Sequence, residues 1–277
     1  MSNEIKNNIL RSKIDQKVWV VGDVHGCYHQ FMGIIKSPLI GEDDIVILIG
    51  DIIDRGPESV KMLDWAMKNV NNGGKYIMIR GNHEQNIIDD YQELIRQQNY
   101  KNQYKDEAGE PFVDYRDLPV WDLHCNYDFC SYMDDEGLFT IGETEKYINW
   151  MKTLPLYIRV VMPNDKSFVV AHAWFEGELL PDGQVRQLIH DDDIMWYRDI
   201  DINDKLNKED YHPMEEREIL IHGHTPIMAI EGYKAKLAEP LFREHSVNID
   251  GGCFLGRKLG GRLIALCLND LKPFYSS

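Results

Sequence analysis

The stretch Ile45-Val46-Ile47-Leu48-Ile49-Gly50-Asp51-Ile52-Ile53-Asp54-Arg55-Gly56 joins a run of five apolar residues to a polar loop. A short apolar run that is rich in β-branched residues and ends at glycine is typical of a strand buried on both faces. The charged residues follow the strand at once, which is where α/β enzymes gather their functional side chains. The stretch therefore predicts a buried strand of an α/β sheet with a polar site at its carboxyl end.

Four other segments repeat this arrangement of an apolar run followed by a polar motif. The apolar runs are Val18–Val21, Tyr76–Ile79, Phe168–Val170 and Ile219–Ile221. The polar motifs are Gly22-Asp23-Val24-His25-Gly26, Gly81-Asn82-His83-Glu84, Ala171-His172-Ala173 and His222-Gly223-His224-Thr225. The apolar spacing of helices is found in segments 28–37, 58–70 and 84–98. The opening half of the chain therefore predicts repeated βαβ units.

The length of 277 residues fits a single α/β domain with insertions, because single cores stop growing at roughly 250 to 300 residues. We expect residues 1–277 to form that one domain. Composition changes in two places, which predicts variable insertions at approximately 99–142 and 176–218. The first insertion is Tyr-rich and acidic and is interpreted as a helical cap, followed by a predicted helix over 143–153. Two closing strands are predicted over 246–249 and 262–268.

Composition excludes several classes of protein. No apolar run approaches the roughly 18 to 20 residues that cross a bilayer, and the five cysteines are scattered without a CxxC pair, unlike a secreted disulfide framework. The net charge of -16 disfavours non-specific binding to nucleic acid, which depends on Lys and Arg neutralising phosphates. We therefore expect a cytoplasmic protein with reduced cysteines, no membrane partner and no stable nucleic-acid binding.

The polar motifs contain residues that can bind metal ions. Asp23 and His25 alternate around Val24, so in an extended loop both side chains can point the same way and hold one ion. Taken alone, the pair could equally form a turn or cap a helix. Oxygen and imidazole ligands suit divalent Mn, Fe and Zn. Asp51 can offer its two oxygens to two ions, and further ligands for a second ion are available in Asn82, His172 and His224.

The motifs GDVHG, GDIIDRG and GNHE, with the later His172 and GHT, resemble the phosphoprotein phosphatase family of calcineurin-like metallophosphoesterases, and in particular the bacterial and phage-type serine/threonine phosphatases. The resemblance extends from about Val18 to Leu268. It implies a four-layer fold, in which a central β-sandwich is flanked by helices. It also implies hydrolysis of phosphoserine or phosphothreonine, or of diadenosine tetraphosphate in close relatives.

The resemblance assigns the metal ligands. Asp23, His25 and a bridging Asp51 would hold the first ion, and the second would be held by Asp51, Asn82, His172 and His224. The expected cofactors are two divalent ions, with Mn favoured and Fe or Zn as alternatives. Two such ions roughly 3.5 to 4 Å apart share a water, lower its pKa and neutralise the attacking and departing oxygens. The expected nucleophile is the resulting metal-bridging hydroxide.

The resemblance also assigns catalytic roles. His83 would be the general acid that protonates the leaving alkoxide, and Asp54 would orient its imidazole. Arg55 offers a planar fork of donors that matches phosphate oxygens, and Arg198 is its expected partner in catalysis and substrate binding. Asp54 could instead cap the following helix, and Arg198 could be a surface arginine. Glu84 could support the site or begin a helix.

Two further features bear on the substrate. Where relatives usually have His-Ala-Gly, this chain has His172-Ala173-Trp174, and we expect the indole to reshape the substrate mouth. The aromatic residues of the predicted cap could stack on a nucleobase or pack the cap onto the body. His222 precedes the motif's ligand position by two residues and is expected to be structural.

These observations favour a serine/threonine protein phosphatase, because Asp54-Arg55 and Glu84 match that form of the motifs. One alternative is a symmetrical diadenosine tetraphosphate, or more generally dinucleoside polyphosphate, hydrolase. A second alternative is a catalytically silent binding module, against which the filled ligand positions argue. The expected partner is accordingly a phosphorylated protein, or a phosphorylated small molecule or nucleotide.

Overall fold

The computed structural model describes residues 5–71, 73–103, 141–198, 214–215 and 218–276. The strands in these ranges are β1 (Ile5–Lys6), β2 (Ile9–Arg11), β3 (Val18–Val21), β4 (Ile45–Leu48), β5 (Tyr76–Met78), β6 (Tyr157–Val161), β7 (Ser167–Ala171), β8 (Gly177–Leu179), β9 (Val185–Gln187), β10 (Ile219–His222), β11 (Leu241–Phe242), β12 (Ser246–Asn248), β13 (Ile264–Cys267) and β14 (Lys272–Tyr275). The helices are α1 (Tyr28–Ile35), α2 (Ser59–Asn69), α3 (Asn82–Gln103), α4 (Ile141–Met151) and α5 (Asp191–Trp196).

The opening half of the chain forms the predicted βαβ units. Strand β3 pairs with β4 and β4 pairs with β5, both in parallel register, while α1 and α2 make the two connections. Strand β3 has the predicted bounds, whereas α3 begins two residues before the predicted helix and continues to Gln103. The hydrophobic periodicity therefore placed these elements correctly, and it erred mainly at their ends.

Most strands belong to two sheets that form the centre of the molecule. The smaller has the order β14-β13-β3-β4-β5 and the larger the order β1-β2-β6-β7-β10-β12-β11. Strand β7 is parallel to β10, and β10 is parallel to β12. Each sheet therefore contains a parallel group whose carboxyl ends can carry functional loops. Strands β8 and β9 form a separate antiparallel hairpin.

Both faces of β3, β4 and β13 in the smaller sheet are buried, which explains their continuous apolar runs. Successive side chains of a strand point to opposite faces. Val18 and Val20 of β3 lie in the apolar core shared with Phe168 of the larger sheet, while Trp19 and Val21 lie in a second core with the residues of α1, α2 and α4. A strand that packs against another sheet on one side and helices on the other has no polar face.

A third apolar cluster covers the outer face of the larger sheet. Tyr157 and Leu220 pack there with Trp174, Phe175 and Ile194, which gives the predicted four layers: helices, sheet, sheet and a thin outer layer. Trp174 is only 4% exposed, and its indole N–H donates to Oε1 of Glu176 at 3.2 Å. The expectation that this indole reshapes the substrate mouth was therefore wrong, because the ring belongs to the packing of the outer layer.

The two predicted insertions are described in part. Helices α3 and α4 flank the first, and residues 104–140 lie outside the described ranges, as do the aromatic residues of the predicted cap. The second contains β8, β9 and α5, so its described part has more regular structure than its sequence indicated. The Asp191-Asp192-Asp193 run forms the first turn of α5, where carboxylates interact favourably with the helix dipole.

Three further expectations concern the whole chain. No described helix is long and apolar enough to span a bilayer. The described cysteines, Cys27, Cys253 and Cys267, are free thiols, and the absence of a disulfide framework stays a prediction. The assignment of residues 1–277 to one domain stays a prediction.

Candidate active site

The sandwich brings the polar motifs together at the carboxyl ends of its parallel strands. Asp23 and His25 follow β3, Asp51 follows β4, and Asn82 and His83 open the helix after β5. From the larger sheet, His172 follows β7 and His224 follows β10. All seven side chains are buried, with at most 8% of any residue exposed. Residues distant in sequence therefore meet in one buried polar site.

One group of potential ligands spans the two sheets. Nε2 of His172 lies 3.3 Å from Oδ2 of Asp51 and 2.9 Å from Oδ1 of Asn82. Nδ1 of His224 lies 2.9 Å from the same Asn82 oxygen. Asp51, His172 and His224 offer atoms that all lie within 4.8 Å of one another, close enough to hold a metal ion.

A second group shares Asp51 with the first. Oδ2 of Asp51 lies 3.7 Å from Nε2 of His25 and 3.9 Å from Nε2 of His83, and these three residues also offer atoms within 4.8 Å of one another. Asp51 is thus the residue common to both groups. Asp23 lies beside them, and its Oδ2 accepts a hydrogen bond from the backbone N–H of His224 at 3.1 Å.

The chemistry of these groups fits divalent cations. Nδ1 of His25 lies 2.9 Å from the carbonyl oxygen of Ile53, and its buried Nε2 has no hydrogen-bond partner among the described residues. The buried Nε2 of His224 also lacks such a partner there. Buried polar atoms rarely stay unpaired. Burial lowers the pKa of both His25 and His224 to about 3, so each imidazole is neutral near pH 7, as ligation requires.

The site also favours positive charge next to Asp51. Burial raises the pKa of Asp51, but His172 and His83 outweigh it and hold the pKa well below its usual range. Burial lowers the pKa of His172, but the Asp51 carboxylate outweighs it and raises the pKa to about 10. Asp51 is therefore ionised, and the place beside it is one where a cation is stabilised.

The loops that carry these residues have an unusual backbone. A left-handed φ between 45° and 67° is found at His25, Asp51, Asp54, Arg55 and His224. This conformation is uncommon outside glycine, and such residues cluster at functional sites because the surrounding structure must hold them there. Of the nine non-glycine residues with positive φ in the described ranges, five are thus predicted site residues.

Close contact between two loops explains the glycines of the motifs. A Cβ on Gly50, where φ is +90°, would lie 2.3 Å from the backbone nitrogen of Gly81. A Cβ on Gly81 would lie 2.2 Å from Oδ1 of Asp51. Both glycines are required because the loops after β4 and β5 touch directly behind Asp51.

His83, Asp54 and Arg55 form a connected group at the edge of the site. Nδ1 of His83 lies 2.6 Å from Oδ2 of Asp54, and its Nε2 lies 3.2 Å from a guanidinium nitrogen of Arg55. Burial lowers the pKa of His83, but the carboxylates of Asp51 and Asp54 outweigh it and raise the pKa above its usual value. The arrangement therefore orients an imidazole that can carry a transferable proton.

Glu84 supports the loops around Asp51. Its carboxylate accepts hydrogen bonds from the backbone N–H groups of Asp51 at 2.8 Å, Ile52 at 2.9 Å and Gly81 at 2.9 Å. It also lies in the first turn of α3. Both roles that the sequence left open for Glu84 are therefore present in one residue.

Arg198 and His222 lie outside the two potential ligand groups. Arg198 is exposed and follows α5, and its positive charge contributes to lowering the pKa of His224. His222 is buried with its ring centroid 6.5 Å from that of Trp174. Arg198 is thus near the site at its surface, while His222 belongs to the packing behind it.

Sequence reasoning missed two residues of the segment after β12. Asp250 is buried, and its charge acts on Asp23. The Phe254 ring lies 5.3 Å from the His25 ring and 4.8 Å from Cζ of Arg55. The available signal was the position of this segment directly after a parallel strand, since its end meets the same edge of the sheet.

The fold and the shared Asp51 agree with a comparison against known families. Residues 16–249 match the family model of the calcineurin-like phosphoesterases. The chain belongs to this family. As a calcineurin-like phosphoesterase it is a hydrolase of the metallophosphoesterase class, and the resemblance of its motifs to this superfamily is confirmed.

Relatives of this calcineurin-like phosphoesterase bear names of two substrate classes. It is 24% identical over 251 residues to a bis(5'-nucleosyl)-tetraphosphatase PrpE [asymmetrical] of Anoxybacillus flavithermus, covering 87% of each chain. It is also 24% identical to serine/threonine-protein phosphatase 2 of Salmonella typhimurium, covering 90% of this chain and 94% of that one. A solved structure described as a putative diadenosine tetraphosphatase shares the fold, with a TM-score of 0.56 and 17% identity, covering 98% of this chain and 97% of the other.

Proposed function

We propose that this calcineurin-like phosphoesterase is a dinuclear metal-dependent serine/threonine protein phosphatase. The observation that carries the proposal is His83, whose Nδ1 lies 2.6 Å from Asp54 and whose Nε2 lies beside Arg55 and Asp51. An imidazole held in this way can donate a proton at the edge of the metal site. The leaving group of a phosphoserine or phosphothreonine is an alkoxide, which depends strongly on such a proton.

We further propose that the residues around Asp51 hold two divalent ions, preferably manganese, with iron or zinc as alternatives. His83 is close enough to belong to the second group, but we assign it as the acid and assign Asp23 as the ligand in its place. Asp23, His25 and Asp51 would hold one ion, and the other would be held by Asp51, Asn82, His172 and His224. Bound ions would lower the pKa of a shared water and neutralise charge on the attacking and departing oxygens. The orphaned Nε2 of His25 and the ionised Asp51 support this assignment.

The remaining site residues have roles that follow from their contacts. Asp54 fixes the imidazole of His83 and favours its protonated form, so that Nε2 presents a proton to the leaving oxygen. Arg55 lies next to that nitrogen and would bind phosphate oxygens with its planar fork of donors. Arg198 would bind the same phosphate from the surface, and the effect of its charge on His224 supports a position near the site.

A second candidate function is the hydrolysis of dinucleoside polyphosphates. The relative PrpE, which aligns over 87% of this chain, favours it. So does Trp196, which is 38% exposed and whose ring centroid lies 6.1 Å from that of His224, where it could stack on a nucleobase. We rank it second because its leaving group is itself a phosphate, which is stable as an anion and depends less on the proton of His83.

The silent binding module is the weakest of the three possibilities. A binding module would not require an oriented acid, yet the contact between His83 and Asp54 is short and buried. An oriented acid is explained by turnover.

A parallel rate assay tests the proposed function. Manganese-loaded enzyme is offered a phosphothreonine peptide and, separately, diadenosine tetraphosphate, with Asp51→Asn as the blank. A higher kcat/KM on the peptide supports the protein phosphatase, and a higher value on the dinucleotide replaces it with the second candidate. If the wild-type enzyme hydrolyses neither substrate nor an activated aryl phosphate, the binding module takes its place.

A further inference from the structure

We infer that Phe254 is a positioning residue whose aromatic face holds the Arg55 guanidinium in its phosphate-binding place, an inference that rests on the proposed phosphoester hydrolysis. Cζ of Arg55 lies 4.8 Å from the centroid of the Phe254 ring. A cation within about 6 Å of a ring centroid is attracted by the negative face of the ring. The ring thus supplies an electrostatic contact to the residue proposed to bind substrate.

The same ring also contacts a residue of the proposed metal site. Its centroid lies 5.3 Å from that of the His25 imidazole, with an angle of 87° between the two planes. This edge-to-face contact is a favourable geometry for aromatic pairs. Phe254 therefore contacts both Arg55 and His25, and it fixes the guanidinium relative to a proposed metal ligand.

In the described part of the chain, the guanidinium of Arg55 has few contacts that could fix its position. Among residues of the described ranges, no carboxylate oxygen lies within 4.0 Å of its guanidinium nitrogens as an ion-pair partner. Its hydrogen bond to Nε2 of His83 requires that nitrogen to lack a proton. The ring contact does not depend on that proton, so it can persist when His83 is ready to donate.

An aromatic face is also the partner that leaves the guanidinium free for substrate. A carboxylate would occupy N–H donors of Arg55 and cancel part of its charge. A ring face attracts the whole cation and accepts none of its in-plane N–H groups. Phe254 can therefore orient Arg55 without cancelling the charge that attracts phosphate.

Phe254 is itself held in a defined position. It lies in a 3₁₀ turn, Cys253–Leu255, and Sγ of the preceding Cys253 lies 2.9 Å from the carbonyl oxygen of Val24 and 3.2 Å from that of Asp23. Oδ1 of Asp250 accepts the backbone N–H of Gly252 at 2.9 Å. These contacts tie the segment to the loop after β3, so the ring is a fixed support for Arg55.

The test compares Phe254→Leu with Phe254→Tyr in manganese-loaded enzyme. Leucine fills similar space without an aromatic face, whereas tyrosine keeps the face. We expect Phe254→Leu to weaken binding of inorganic phosphate, measured by calorimetry, and to raise KM for a phosphothreonine peptide, each by about threefold to thirtyfold. Phe254→Tyr should stay within about twofold of wild type, since it preserves the cation–π contact. Manganese content should be unchanged in both variants.

The matched control is Phe242→Leu, the same change at a phenylalanine that is 50% exposed on β11. Equal phosphate affinity in the leucine variant and wild type would overturn the role of Phe254, and so would equal losses in the leucine and tyrosine variants. If wild-type enzyme turns over no phosphoester at all, it is the proposed function that fails. The two failures are thereby distinguished.

A second measurement replaces Phe254 with phenylalanines that carry increasing numbers of ring fluorines. These substitutions change the shape of the side chain little. Fluorine withdraws electron density from the ring face and weakens its attraction for a cation. We expect the logarithm of the phosphate dissociation constant to rise steadily with the number of fluorines. A flat series would show that the ring acts through packing alone and would overturn the inference.

Discussion

Replacing Asp54 by Asn tests the proposed acid more selectively than removing His83. The substitution keeps the size of the side chain and an oxygen that can accept from Nδ1 of His83, but it removes the negative charge 2.6 Å away. Both groups are buried, with 2% of Asp54 and 8% of His83 exposed. The loss is therefore poorly screened by solvent, and it acts on a single neighbouring imidazole.

The size of the effect follows from the contact that is lost. A hydrogen bond to a charged group contributes about 1.5 to 3 kcal/mol. If that contribution is made in the transition state, kcat on a phosphothreonine peptide falls by about 10-fold to 150-fold, since each 1.36 kcal/mol changes a rate tenfold. The neighbouring Asp51 still raises the pKa of His83, so part of the activity should persist.

The pH dependence of kcat provides an independent test, because the direction of its shift can be predicted. A general acid must be protonated, so the rate falls as the pH rises through the pKa of His83. Asp54 is one of the two carboxylates that raise this pKa. Its replacement lowers the pKa, and the alkaline limb of the profile should therefore move to lower pH.

The assay follows kcat on the peptide from acid to alkaline pH, together with manganese content. Asp89→Asn, which removes an exposed carboxylate of α3, is the matched control and should resemble wild type. An Asp54→Asn enzyme with unchanged kcat and an unmoved alkaline limb would refute the proposed action of Asp54 on His83. Loss of manganese would also refute it, because Asp54 would then act on the metal site instead.

The other predictions concern the proposed acid His83, the loop contact at Gly81 and the supporting residue Glu84. His83→Asn should lower kcat on a phosphoserine peptide by about 10² to 10⁴. The loss should be much smaller on an activated aryl phosphate, because its leaving group needs no proton. Equal losses on both substrates would remove the acid assignment. Gly81→Ala should lose manganese and reduce kcat by about 100-fold, because its Cβ would lie 2.2 Å from Oδ1 of Asp51. Gly33→Ala, whose Cβ meets nothing within 4 Å, is its control, and normal metal binding in Gly81→Ala would contradict the contact. Glu84→Gln should lower the free energy of unfolding by about 1 to 3 kcal/mol, seen as a lower Tm. The reason is that an amide group replaces one carboxylate oxygen among three backbone donors. A Tm equal to that of the exposed control Glu145→Gln would argue against this supporting role of Glu84.

The sequence predicted those parts of the fold in which the local pattern of apolar residues directly reflects burial. Strand β3 is apolar at all four positions because it is buried on both faces. Strand β6 was missed because Arg159 interrupts its apolar pattern. In the fold this arginine is buried and pairs with Glu218 at 2.7 Å and with Glu215 at 2.6 Å. Its partners are more than fifty residues away, so no local pattern could reveal that the charge is neutralised.

The site shows the same division. The motifs identified Asp51, His172 and His224, whose backbone positions at strand ends already bring them together. The proposed role of Phe254 could not be predicted from the sequence, because it depends on the Arg55 guanidinium that the fold packs against the ring. The burial of Trp174 was missed for the same reason: its neighbours in the outer layer come from other parts of the chain.

The most direct test of the dinuclear site is a metal titration of the wild-type protein and Asp51→Asn after complete chelation. Manganese bound per chain is measured by elemental analysis, and phosphoesterase activity is measured at each step. Because Asp51 is common to both ligand groups, we predict two ions per wild-type chain, with activity rising until both are bound, and weakened binding of both ions in Asp51→Asn. Saturation of activity at one ion, or an Asp51→Asn protein that binds two ions normally, would contradict the dinuclear site.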